Sequence, residues 1–175
     1  MGFNEAGRGR DCTELARAAR SFEARALQAH RAGDWGPAIR HAQGWLLDEP
    51  FSTRPATLGS YLAGITEGNY RLAEEFARRG LRANPGDWLL LNNLVVALAN
   101  QGQVEEAVAA FQEIATPSEE LRSVLLATEG LLKFRTGEQA IGRRLYLEAA
   151  EHARRRGDRR LYALALAHLA TFRCE

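Results

Sequence analysis

Residues 88–111 read WLLLNNLVVALANQGQVEEAVAAF, and the spacing of their apolar side chains decides the fold. Leu91, Leu94, Val95 and Leu98 recur three, four and seven residues apart, which places them on one face of a helix. Gly102 ends that run, because glycine readily takes the left-handed conformation that closes a helix. A second run follows with Val104, Ala107, Val108 and Phe111 at the same spacing. The stretch is therefore a helical hairpin. A hairpin of about 34 residues keeps an apolar face that it cannot bury alone, so it needs neighbours of its own kind.

The rest of the chain supplies them. Leu15, Phe22, Ala26 and Ala29 share one face of a helix expected from Thr13 to Gly33, and Trp35, Ala38, Ile39, Ala42 and Trp45 form its partner, ended by Pro50. Pro55 suits a first helical position and opens a helix through Leu58, Tyr61, Leu62 and Ile65 to Gly68, which Tyr70, Ala73, Ala77 and Leu81 answer before Pro85. After the central hairpin, Thr116, Pro117, Ser118 and Glu119 read as a capping box with proline at the first helical position. That helix carries Leu121, Val124, Leu125, Gly130, Leu131 and Phe134. Its partner carries Ile141, Leu145, Tyr146 and Ala149, and a last helix is expected over residues 159–172.

Gly33, Gly68, Gly102 and Gly137 lie 35, 34 and 35 residues apart, an internal repeat. Two residues after each stands Trp35, Tyr70, Val104 or Gln139, and five after stands Ala38, Ala73, Ala107 or Gly142. The first position staples the second helix onto the first. The second lies where two backbones cross and a larger side chain would hold them apart. This period, with small crossing residues and the terminal prolines Pro50 and Pro85, resembles the tetratricopeptide repeat family. The match is fullest at Leu91, Leu94, Leu98, Gly102, Val104, Ala107 and Phe111, and it covers about residues 19–156. The third repeat departs with Glu119 at the terminal proline position, the fourth with Gln139 and Gly142. Tyr61 stands where a small residue is usual, so packing there is expected to shift by one residue.

The resemblance implies an all-α fold, a right-handed superhelix of stacked antiparallel helix hairpins. It would hold about four repeats, near residues 19–53, 54–87, 88–122 and 123–156, plus the terminal helix, as one domain over 11–175. Residues 1–10, rich in glycine and charge, are expected to be a disordered arm. The resemblance further implies a non-catalytic protein-interaction adaptor whose concave groove holds a peptide or partner helix. The groove residues on this register are Leu62, Ile65, Asn92, Val96, Asn100, Leu131, Phe134 and Arg135. The competing reading of each apolar member is packing against the next repeat. Some family members clamp a terminal carboxylate with asparagine and lysine; Asn92 and Asn100 are present here without a nearby lysine, which disfavours that ligand.

Composition fits this frame. The 175 residues are 46% hydrophobic and 26% charged with a net charge of +1, and Lys133 is the single lysine among 23 basic residues. Residues 83–121 hold six acids and no base, while residues 138–175 hold eight arginines against five acids. That asymmetry could steer a partner or join two copies head to tail; the plainer reading is a solvated face. Nucleic-acid binding through RRRGDRR is disfavoured, since no aromatic residue interleaves it. The last helix is apolar over more than one face, which raises a homodimer through Tyr162, Leu164 and Phe172 as the alternative function. No cofactor or metal is expected, because His30, His41, His152 and His168 are scattered and form no ligand motif. Cys12 and Cys174 read as free thiols. With no signal-like or membrane-spanning run, the expected location is the cytoplasm.

Overall fold

The computed structural model describes residues 21–115, 119 and 121–171. The expected arm, residues 13–20, most of the expected capping box, Phe172 and both cysteines lie outside the described residues. Among the described residues are nine α-helices and no strand: α1 (Phe22–Ala32), α2 (Trp35–Asp48), α3 (Thr53–Tyr61), α4 (Tyr70–Ala83), α5 (Trp88–Asn100), α6 (Val104–Gln112), α7 (Arg122–Arg135), α8 (Gln139–Arg155) and α9 (Arg159–Thr171). The protein is an all-α helical repeat. Each helix packs on its sequence neighbours, and α3, α5, α7 and α9 also pack in succession, which makes them an inner layer.

Local chemistry sets the helix ends. Gly33, Gly68, Gly102, Gly137 and Gly157 all have positive φ, from 63° to 84°, so each hairpin turns through a left-handed residue. Asn69 Oδ1 accepts from the Leu72 amide (3.1 Å), and Asp87 Oδ1 accepts from the amides of Leu89 and Leu90 (3.0 Å each), satisfying donors that helix starts leave open.

One start differs from the sequence expectation. Ser21 is extended (φ −62°, ψ 154°) and caps α1 by accepting from Ala24, so the helix begins at Phe22 and does not run through from Thr13. The described part of α7 begins at Arg122, and the Glu119 carboxylate accepts from His152; the expected start at Pro117 lies outside the described residues. Directly after Tyr61, α3 passes into a π-helical turn, Leu62–Thr66, in which the Glu67 amide donates to the Leu62 carbonyl (3.3 Å). A π turn inserts one residue into a helix. The bulky Tyr61 is accommodated by that shift.

The buried core has two adjoining parts. One joins Ile39, Leu46, Leu62, Phe76 and Leu90; the other joins Leu94, Leu98, Leu131, Tyr146 and Leu169. Paired helices approach through small residues. A Cβ on Gly59 would lie 2.3 Å from the Phe76 ring, and one on Gly80 2.6 Å from Ala56 Cβ. In the fourth hairpin, Gly142 packs on Gly130, where a Cβ would sit 2.9 Å from the Gly130 carbonyl oxygen. That neighbour is backbone and cannot swing away. Gly142→Ala is therefore expected to destabilise the fold by about 1–3 kcal/mol in urea unfolding, whereas Gly36→Ala, which meets only the tip of Arg40 at 3.5 Å, should be neutral or slightly stabilising.

Candidate functional site

The inner layer borders a half-open cavity of about 390 Å³ with mainly apolar walls. α3 and its π turn contribute Ser60, Tyr61, Gly64 and Ile65; α5 contributes Asn92, Asn93, Val96 and Ala97; α7 contributes Val124, Ala127, Thr128 and Leu131. The wall facing these is α9, through Leu161, Leu164, Ala165 and His168. Spacing of three, four and seven residues turns those four side chains one way. Small residues at Gly64, Ala97, Ala127 and Ala165 keep the space open, since protein interiors otherwise leave few voids larger than a water molecule.

A long-range contact adds to the packing of α9 on α7 and α8. The Arg160 guanidinium donates to the Tyr61 hydroxyl and lies 5.0 Å from the centre of its ring, joining α9 to the second repeat across 99 residues of sequence.

Of the eight groove residues expected from the sequence, Ile65, Asn92, Val96 and Leu131 line this cavity. The other four do not. Leu62 is fully buried beside Ala63, Ala73 and Phe76 as part of the core. Phe134 packs on the Tyr146 ring (5.8 Å between centres), and Arg135 donates to Asn100 Oδ1 (2.9 Å) at the edge of the layer. Asn100 also donates to the Val96 carbonyl (2.8 Å), so this pair is tied into the scaffold. Of the residues offered for self-association, Leu164 is in the cavity wall and Tyr162 is half-buried against the core. Phe172 lies outside the described residues.

The cavity also contains residues the sequence reading did not select. Thr128 Oγ1 donates to Asn92 Oδ1 (2.7 Å) and Asn93 Nδ2 donates to Ser60 Oγ (2.8 Å), which places two side-chain amides from one turn of α5 on the wall. His168 stacks on Tyr146 (6.3 Å between centres). Burial lowers the His168 pKa and raises that of the Tyr146 hydroxyl, because each charged form would leave water. The Leu161, Leu164, Ala165 and His168 periodicity was the available sign that α9 belonged to the site.

A separate line of polar groups joins α7 to α8. His152 Nε2–H donates to Glu119 Oε1 (2.8 Å), which leaves Nδ1 to accept from Ser123 Oγ–H (2.5 Å). The hydrogen bond from His152 holds the Glu119 carboxyl below its ordinary pKa. These three residue types also make up hydrolase triads. Here Ser123 is only 2% exposed, too enclosed for a substrate carbonyl to reach its hydroxyl. The cluster fastens the start of α7 to α8.

Among the described residues no group of three or more His, Cys, Asp and Glu is placed to hold a metal, and no helix is long and apolar enough to cross a membrane. The chain is similar to the solved structure of residues 41 to the end of MamA from Desulfovibrio magneticus RS-1. The TM-score is 0.61 at 14% identity, covering 87% of this chain and 93% of that one. At that identity the likeness shows the fold alone, a tetratricopeptide-like helical repeat. No family model matches the chain. No curated protein matches it either.

The buried His168 gives a testable pH dependence. Its pKa is lowered in the folded state, so below the unfolded value of about 6.5 the unfolded chain binds the proton more readily. Stability is expected to fall as pH drops from about 6.5 through the folded pKa, with a shallower fall in His168→Gln, followed by thermal unfolding monitored by circular dichroism. Glu74 and Glu119, whose pKa values are lowered instead, lose their contribution only in more acidic solution, which separates the two effects.

Proposed function

We propose that the protein is a non-catalytic interaction adaptor that holds a partner segment on its inner face. The observation that carries this reading is convergence: Ile65, Asn92, Val96 and Leu131, from three successive repeats, border one apolar cavity together with Leu164 of α9. A mainly apolar concavity with a few placed polar groups is the usual form of a recognition site. Helical repeats of this fold lend themselves to such surfaces, because stacking generates an extended concave face.

Size narrows the occupant. The cavity has room for one or two apolar side chains of a partner segment, whether that segment is extended or helical. The Asn92 and Asn93 side chains lie in its wall, Asn92 buried against Thr128 and Asn93 bonded to Ser60.

Ile65→Glu and Val96→Glu are expected to reduce partner capture at least tenfold while leaving the helical circular dichroism signal unchanged, since both side chains are only half-buried. Leu62→Glu serves as the contrast. It places a carboxylate in the core and is expected to unfold the protein outright. Capture by affinity chromatography against a peptide library reads the difference, and undiminished capture by both half-buried variants would remove the inner-face site.

A further inference from the structure

The outer layer carries a surface that the cavity does not use. Leu47 and Phe51 are 67% and 82% exposed. They lie four residues apart, at the end of α2 and in the turn after it. The Asn84 side-chain amide donates to the Phe51 carbonyl (3.1 Å) and holds that turn against the end of α4. Single exposed apolar residues are ordinary on a protein surface, but Phe51 sits beside cations with no carboxylate of their own. Arg79 and Arg82 border the furrow between α2 and α4 with Phe51 and make no ion pair among the described residues, whereas Arg71 and Arg78 on the same helix do.

On the other side of α4 lies a larger furrow of about 580 Å³, toward α6. α6 has nine residues where α2 and α4 have fourteen, and it presents Ala109 and Ala110 to the furrow. Leu81 and Leu94 therefore border an opening that a longer or bulkier helix would cover. Glu113 stands at its rim without an ion pair among the described residues. Arg82 and the Arg78–Glu106 ion pair line this furrow too, so the face has an aromatic knob beside the free Arg79 on one side of α4 and a furrow of mixed chemistry with the Glu113 carboxylate on the other.

We propose that this face binds a second copy of the chain. Phe51 and Leu47 of each protomer enter the α4 to α6 furrow of the other, and Arg79 of each faces Glu113 of its partner. Knob and furrow lie on one face, so they meet only when that face is apposed to itself. With both knobs seated at once the arrangement has two-fold symmetry, and it closes at two copies. An aromatic side chain buries about 150–250 Å², so the two Phe51 rings supply roughly 300–500 Å², and both Leu47 side chains with the facing furrow walls supply the rest of the roughly 1,000 Å² that a specific contact needs. An interface of that size is concentration-dependent. This inference does not rest on the cavity reading.

Sedimentation equilibrium of the full chain across a hundredfold concentration range tests it. The expected result is a mass rising from 19.4 kDa toward twice that value, less steeply at high salt. Phe51→Glu should weaken association at least tenfold without altering the helical signal, since the side chain is exposed, and should leave partner capture on the inner face intact. Arg79→Glu and Glu113→Arg should each weaken the dimer, and the two changes together should restore it. A monomer at every concentration would overturn the proposal. So would wild-type association by Phe51→Glu, failure of the paired charge swap to restore what the single swaps lose, or a dimer lost instead through Leu166→Glu on the outer side of α9.

Discussion

How closely paired helices approach one another governs everything else in this structure, and that distance is set by side chains that are nearly absent. Ala38, Ala42, Gly59, Gly80, Gly130 and Gly142 stand at the helix contacts, most of them with no room for an added carbon. Close crossing tightens each hairpin, and tight hairpins let the inner helices α3, α5, α7 and α9 pack in succession. A Gly142 that rests on the Gly130 carbonyl oxygen is the extreme case, since a backbone neighbour has no alternative rotamer.

Tight packing of the inner layer explains why the concave side is a cavity and not an open channel. α9 follows Gly157 and packs on α8, and its position brings Arg160 within reach of Tyr61 in the second repeat. Its apolar stripe then faces inward, opposite α3, α5 and α7. An apolar last helix raises the question of what covers it; here the protein's own inner layer covers much of it, while Leu166 remains partly exposed. The acidic middle and basic end behave similarly. Glu106 engages Arg78, Glu119 engages His152, and Arg154 and Arg155 engage Glu151 of their own stretch, so part of each charged stretch makes contacts within the chain.

The repeat was legible because it rests on local rules. Glycines in a left-handed turn, small residues at crossings and apolar residues at helical spacing each leave a mark within a few positions of sequence, and four copies multiply the mark. Tyr61 illustrates a finer case: its bulk at a small-residue position signalled a one-residue shift, and a π turn begins directly after it. The site was legible only in part. Periodicity ranks residues by face but does not divide a helix's inward face between core and cavity, so Leu62 and Ile65 looked alike although one is fully buried and the other lines the opening. The Arg160 to Tyr61 contact and the Ser123, His152 and Glu119 line join positions 99, 29 and 33 residues apart. Such pairings follow from how repeats stack, which no local pattern states.

Two layers of helices give this small protein two faces with different chemistry. The inner face has converging, mainly apolar walls with two side-chain amides among them. The outer face is ridged by α2, α4 and α6, and the furrow beside the short α6 is larger than the one between α2 and α4. The first follows from the likeness of the repeats, which brings equivalent positions together on one concave surface. The second follows from their unlikeness, because a single short helix breaks the regular outer wall. The cavity and the two furrows share no lining residue, so the inner-face contact and the outer-face contact proposed for them are independent of each other.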